Sequence, residues 1–354
     1  LLDAAIPLAL TFDDVLLLPR HSQVLPSDVT LSTDLGRGRT LQLPILSAAM
    51  DTVTEAPLAL AMGHAGGLGV LHKNVPIDVQ AGWVHTVREA GFVAAAAIGV
   101  GGDSAPRARA LVAAGVGVLV LDTAHGHSQG VLDRAKAVRD DHPDVLLVLG
   151  NVATPEAVEA AADAGADVVK VGVGPGSICT TRIVAGVGVP QLTAVATCAA
   201  AAHSRGLTVI ADGGIRSSGD VAKAIAAGAD AVMIGSMLAG TDESPGQIVM
   251  VRGERRKAYR GMGSAGAMMA GSSDRYFQST ANKLVPEGVS ATVACKGPAA
   301  DVLYQLAGGL RASMGYCGCP TIPAMQADTR FVRITTAGLS ESHVHDVRTT
   351  SDGS

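Results

Sequence analysis

Two stretches of this chain nearly repeat each other. Residues 161–177 read AADAGADVVKVGVGPGS, and residues 224–240 read AIAAGADAVMIGSMLAG. Each runs from an alanine-rich helical segment through Gly-Ala-Asp into a short apolar strand and out into a Gly-Ser loop. The alternation extends along most of the chain. Strand-like runs fall at Pro44–Met50, Leu68–Lys73, Val93–Val100, Val116–Asp122, Val145–Asn151, Asp167–Val173, Thr208–Ala211 and Ala231–Ile234. Eight alternating βα units predict an α/β fold of the (β/α)8 barrel type, with a doubly wound open sheet as the rival. The composition suits a barrel. The chain is 48% hydrophobic but only 3% aromatic, so its core is built from the small and branched aliphatics that parallel sheets bury on both faces.

Local punctuation supports the same reading. Ala114-Gly115, Ala164-Gly165 and Ala227-Gly228 place glycine where a helix ends in the left-handed conformation. Thr154-Pro155-Glu156 reads as an N-cap, a first-turn proline and an acid near the positive helix end. Residues 1–43 form an N-terminal extension. Residues from about 240 to 300 are glycine-rich, charged and poorly periodic. So long an irregular stretch within a compact domain is expected to be a functional lid or a disordered segment. Helical pattern returns near Pro298–Ala312.

Several function classes are disfavoured. Net charge is −5 and basic residues are scattered apart from Arg252–Lys257, so no nucleic-acid footprint is expected. Five cysteines without a CxxC pair argue against a disulfide frame or zinc site and fit reduced thiols in a cytoplasmic protein. Apolar runs fall short of the about 18 residues of a membrane span. The start, LLDAAIPLALTFDD, lacks the basic region of a signal peptide. HGH at 125–127, like His64 and His72, lacks a full metal-ligand set.

Chemistry concentrates in three places. Cys179 follows the sixth strand run in a glycine-rich turn, GSICTTR (176–182), on the face where barrel enzymes work. Thr181 and Arg182 beside it favour a reactive thiolate over an inert core thiol. Cys198, Cys295, Cys317 and Cys319 read as structural. Asp212-Gly213-Gly214 ends the seventh strand and Gly235-Ser236 the eighth; loops there commonly cradle phosphate through backbone amides. Ser272–Gln278, SSDRYFQ, gathers Arg275 and Tyr276 in the irregular stretch, where a lid that folds over Cys179 can exclude water and supply a base. Gly261–Gly266 matches GxGxxG, but it follows no strong strand run and reads as a false positive for a dinucleotide turn.

These motifs, taken in order, resemble the inosine monophosphate dehydrogenase family. Besides GSICTTR the resemblance rests on TFDDVLLLP (11–19), SAAMDTVTE (47–55), GGLGVLHKN (66–74), DTAHGHS (122–128), GNVAT (150–154), ADGGIRSSGD (211–220), YRGMGS (259–264), DRYFQ (274–278), VPEGV (285–289) and GLRASMGYCG (309–318). It covers nearly the whole chain and implies one catalytic domain. It further implies that Cys179 attacks the purine of inosine monophosphate, that hydride passes to NAD+, and that water activated by Arg275 hydrolyses the covalent intermediate, with Tyr276 and Thr181 assisting. By the same resemblance Ser177, Gly214, Gly235, Ser236 and Tyr259 hold the phosphate and Asp212 the ribose. Met262, Gly263 and Glu287 hold the base, and Ser47, Met50, Gly213 and Gly261 complete the substrate set. Asp122, Asn151, Gly172 and Gly174 meet the cofactor. Potassium sits on carbonyls of Gly172, Gly174 and Cys179, completed by Glu341, Ser342 and His343 of a neighbouring subunit, which implies a homotetramer.

The sequence departs from the family pattern in places. A pair of regulatory cystathionine-β-synthase-type modules usually interrupts the segment near Arg88–Phe92; here TVREAGFVAAAAIGV (86–100) runs straight through. VACKG (293–297) places Cys295 in the flap region, and the tail after Asp346 is short and polar. Rival readings are guanosine monophosphate reductase, which needs no hydrolytic Arg-Tyr flap, a flavin-dependent barrel oxidase, and a nucleotide-binding protein without turnover.

Overall fold

The computed structural model describes residues 6–347. All eight expected strands form, and they close on themselves. They are β1 (Ile45–Ser47), β2 (Leu68–Leu71), β3 (Ala95–Ile98), β4 (Val118–Asp122), β5 (Leu146–Val152), β6 (Val168–Val171), β7 (Thr208–Asp212) and β8 (Ala231–Ile234). Every neighbouring pair is parallel, and β8 pairs with β1 through Val232 beside Ile45. The result is the expected (β/α)8 barrel, not the open sheet.

Side-chain alternation explains the closure. Residues two apart share a face, and the chain sorts them into two cores. Leu46, Leu68, Val70, Ala95, Ala97, Val118, Val120, Leu146, Val148, Val168, Ile210 and Met233 fill the barrel interior. Ile45, Leu71, Ala96, Leu119, Leu121, Leu147, Leu149, Val169 and Val209 face outward against the helices. Both sets are aliphatic, so neither sheet face is left to water.

The helices behave as their ends predict. Thr154 caps the helix Pro155–Asp163, accepting from the amide of Ala157, and Ser217 caps Ser218–Ala226 in the same way. Gly115, Gly165 and Gly228 follow their helices at φ of 89°, 85° and 107°. The helix Ile77–Glu89 runs into β3 through residues 90–94, so no inserted module stands at this junction.

The N-terminal extension is tied to the body at both ends. Val15–Leu17 pairs antiparallel with Phe331–Arg333. A two-strand ribbon, Thr33–Asp34 with Thr40–Leu41, brings Leu35 and Leu41 into the interior core. The helix expected near Pro298–Ala312 runs from Ala299 to Cys317.

The lid region is more regular than its sequence suggests. It holds a three-stranded antiparallel sheet of β9 (Ile248–Val251), β10 (Glu254–Arg260) and β11 (Ser290–Ala294), followed within the β10–β11 connection by helical turns over residues 265–276. Its apolar alternation is weak because β9 and β11 are largely exposed: Ile248, Met250 and Val251 all face solvent. The GxGxxG stretch therefore does follow a strand. That strand belongs to an antiparallel sheet, not to the βαβ unit of a dinucleotide turn.

Candidate active site

The interior core stops short of the C-terminal mouth, where the inward positions turn polar. Asp122 continues the face of Val118 and Val120, Lys170 that of Val168, and Asp212 that of Ile210. On β5 the inward position is Gly150, and it has to be small: a Cβ there would lie 2.8 Å from Lys170 Cβ. The ammonium of Lys170 is 3.0 Å from Asp122 and 2.5 Å from Asp212, and it donates to the amide oxygen of Asn151. Asn151 in turn donates to Asp212 at 2.9 Å. Lys170 is 1% exposed, so its ammonium is satisfied by these side chains and not by bulk water. Burial alone would raise the Asp122 carboxyl, but Arg275 and Lys170 outweigh it and hold it well below the usual carboxylate range.

The chain leaves β6 through Gly172 (φ 155°) and Gly174 (φ 83°) into the cysteine turn. Gly172 passes so close to β7 that a Cβ would meet the Asp212 carbonyl at 2.0 Å. Arg182 clamps the two ends of the loop, donating to the carbonyls of Val173 and Val189. The thiol of Cys179 is half-buried and donates to the Thr181 hydroxyl at 3.2 Å.

The returning limb of the flap pairs with this turn. Thr180 donates to Glu287, Val289 to Ile178, and Glu287 to Gly263 through backbone amides. Gly263 has no room for a side chain, because a Cβ would lie 2.7 Å from the Tyr276 ring. The glycines of residues 261–263 thus serve close packing around the flap.

From that flap Arg275 reaches back to Asp122 and forms a buried ion pair. Burial opposes the charge, yet Asp122 holds the Arg275 guanidinium above its ordinary range. Burial also holds the Tyr276 phenol at about 12, against the pull of Arg275.

Two connecting cavities result. The first is lined among others by Asp122, Asn151, Cys179, Thr181, Arg275 and Tyr276. The second is lined by Ser177, Gly214, Gly235, Ser236 and Tyr259 and by Arg182 and Arg216. Met50, Asp212, Gly213 and Tyr259 wall both. Burial pushes the Tyr259 phenol up to about 12, so it faces the second cavity as a neutral donor.

Nearly every expected site residue lines this cleft, including Gly172, Gly174, Gly261, Met262, Gly263 and Glu287. One expectation needs correction. Ser47 is fully buried and accepts from the Thr54 hydroxyl at 2.8 Å; it shares the outward face of Ile45 and lines neither cavity. The Gly172 carbonyl accepts from the Asn151 side chain at 2.7 Å. Glu341, Ser342 and His343, expected to act from a neighbouring subunit, lie at and just beyond the end of the helix Thr336–Glu341. Cys295 is exposed, so it is no core thiol, whereas Cys198, Cys317 and Cys319 are buried.

Sequence reasoning missed Lys170. Its signal was a lone charge in the middle of an apolar strand run, on the face of Val168. Among the described residues no group of three or more His, Cys, Asp or Glu side chains could hold a metal ion.

Comparison with known proteins agrees with this geometry. The family model described as IMP dehydrogenase / GMP reductase domain matches residues 9–345. Inosine-5'-monophosphate dehydrogenase of Halalkalibacterium halodurans is 41% identical over 469 residues, covering 97% of this chain and 97% of the relative. The enzyme of the same name from Bacillus subtilis is 41% identical, covering 97% and 96%. That of Escherichia coli K12 is 42% identical, covering 97% of each. These alignments are longer than the 354 residues of this chain, so the relatives carry residues with no counterpart here. With a matching family model over almost its full length and relatives of this identity, the chain belongs to the IMP dehydrogenase / GMP reductase family.

Proposed function

We propose that this chain oxidises inosine monophosphate to xanthosine monophosphate with NAD+ and water, a step of guanine nucleotide synthesis. The observation that carries the reading is the position of Arg275. It sits on Asp122, the carboxylate assigned to the cofactor, in the same cavity as Cys179. One place cannot hold the cofactor and the flap together, so the two must alternate.

The phosphate of the substrate lies in the second cavity, on Ser177, Gly213, Gly214, Gly235, Ser236 and Tyr259. Asp212 takes the ribose. Met50, Gly261, Met262, Gly263 and Glu287 surround the base. Cys179, as thiolate, adds to C2 of the purine. Asp122, Asn151, Gly172 and Gly174 would hold the cofactor with the flap withdrawn, and NAD+ bound there would supply the acceptor for the hydride from C2. Once the cofactor has gone, Arg275 and Tyr276 return over the Cys179 adduct. Because Asp122 keeps the guanidinium protonated, Arg275 activates water here by orienting it and stabilising its developing negative charge. Water adds at C2, the Cys179 sulfur leaves, and Thr181, already hydrogen-bonded to that sulfur, relays the proton. Potassium would rest on the carbonyls of Gly172, Gly174 and Cys179, with those of Glu341, Ser342 and His343 from a neighbouring subunit, and would hold the cysteine turn in place; the Gly172 carbonyl has a second lone pair beside its bond from Asn151.

A homotetramer is part of the proposal. Ile183, Val184 and Val187 stand exposed beside the cysteine turn and offer an apolar face for a second copy. Cytoplasmic placement is also part of it, supported by five free cysteines. Among the described residues no helix is long and apolar enough to cross a membrane.

The test is absorbance at 340 nm. Inosine monophosphate with NAD+ should give a rise that Cys179→Ala abolishes. Consumption of NADPH with guanosine monophosphate, and no rise in the first assay, would move the assignment to the reductase.

A further inference from the structure

A second ion pair joins the flap to the barrel mouth. Lys73, two residues beyond β2, places its ammonium 2.5 Å from the carboxylate of Asp274. The same ammonium donates to the carbonyl of Gly271 at 3.0 Å. Both side chains are nine-tenths buried or close to it, at 8% and 10% exposure.

The Asp274 carboxylate rests in a pit made of missing side chains. Gly99, just after β3, would place a Cβ 2.0 Å from Asp274 Oδ2 and 2.9 Å from Lys73 Cε. A Cβ on Gly101 would lie 3.4 Å from the same oxygen. The pair connects residues 201 apart in sequence and can form only with the flap down.

Its polarity matters as much as its presence. Successive flap residues, Asp274 and Arg275, meet barrel charges of opposite sign, Lys73 and Asp122. A slip of the flap by one residue would set Arg275 toward Lys73 or Asp274 toward Asp122. Like charges brought together out of water repel strongly, so the wrong registers are disfavoured.

We propose that Lys73 and Asp274 form the latch that holds the flap shut in register over Cys179, which makes both of them positioning residues for Arg275. The proposal rests on the reading of Arg275 as a group that enters and leaves the cofactor place. Removing one partner leaves the other charge buried and unpaired in the closed state only, because opening returns it to water. Asp274→Asn and Lys73→Met therefore shift the flap toward open.

The test separates the two halves of the reaction. Rapid mixing with inosine monophosphate and NAD+ should show the first NADH turnover intact in both variants. Steady-state turnover should fall at least tenfold, and KM for NAD+ should also fall, because the flap competes less. Lys73→Met/Asp274→Asn together should lose less than the product of the single losses. Tryptic cleavage after Arg275 in the nucleotide-bound protein should speed up at least tenfold in each single variant, a readout that survives loss of turnover. Unchanged turnover and unchanged protection would overturn the latch. So would loss of the first NADH turnover with nucleotide binding intact, which would place Lys73 or Asp274 in the chemistry. Absence of NADH from the unaltered protein would instead remove the dehydrogenase reading.

Discussion

Lys170→Met tests the charged layer at the barrel mouth. Methionine keeps most of the length and apolar volume of the lysine stem and removes only the ammonium. In the unaltered chain that ammonium faces Asp122 at 3.0 Å and Asp212 at 2.5 Å. Stripping one partner from a buried ion pair costs about 3–5 kcal/mol. Here the loss should fall near the lower end, about 3 kcal/mol, because Asp122 keeps Arg275 and Asp212 keeps the Asn151 amide. The pH dependence has a definite sign. The Asp122 carboxyl is depressed in the folded chain, so its contribution is present above the ordinary carboxylate value and is lost as pH falls below it. In the variant the depression is smaller, and protonation relieves the unpaired charge earlier. The stability gap should therefore hold from neutral pH down to about pH 4 and narrow below it. Urea midpoints of both proteins across that range measure it. A gap below about 1 kcal/mol, the range of exposed pairs, or a gap independent of pH, would refute the reasoning.

Further expectations follow from the same geometry. Gly235→Ala is permitted by its backbone (φ −105°), but the new methyl would stand 3.0 Å from Tyr259 Oη and 3.3 Å from Met50 Sδ; KM for inosine monophosphate should rise about tenfold, equal to about 1.4 kcal/mol, with the melting temperature nearly unchanged. Iodoacetamide at pH 8 should modify Cys179 and exposed Cys295 but not Cys198, which is buried and whose thiol is pushed up to about 12. Inosine monophosphate should then protect Cys179 alone, as read by peptide mass.

The barrel was legible because its strands are buried on both faces, which leaves unbroken aliphatic runs that no surface element imitates. The cysteine turn and the strand-end glycines were legible for a related reason: backbone must approach backbone there, as at Gly172 beside Asp212. The flap sheet was not, since β9 and β11 stand away from the core and carry little alternation. Ser47 was misplaced by motif alone; following the parity of Ile45 would have turned it outward. Lys170 was visible in the sequence as an odd charge, but its partners come from three other strands. The Lys73–Asp274 pair left no local signal, because its partners are 201 residues apart in sequence.

The central claim is a covalent nucleotide on Cys179 that the flap resolves. The direct measurement is the mass of the acid-quenched Arg275→Ala variant after mixing with inosine monophosphate and NAD+. The account predicts one nucleotide bound per chain, located on the peptide carrying Cys179, with NADH released in equal amount. NADH formed with no adduct on that peptide would contradict it.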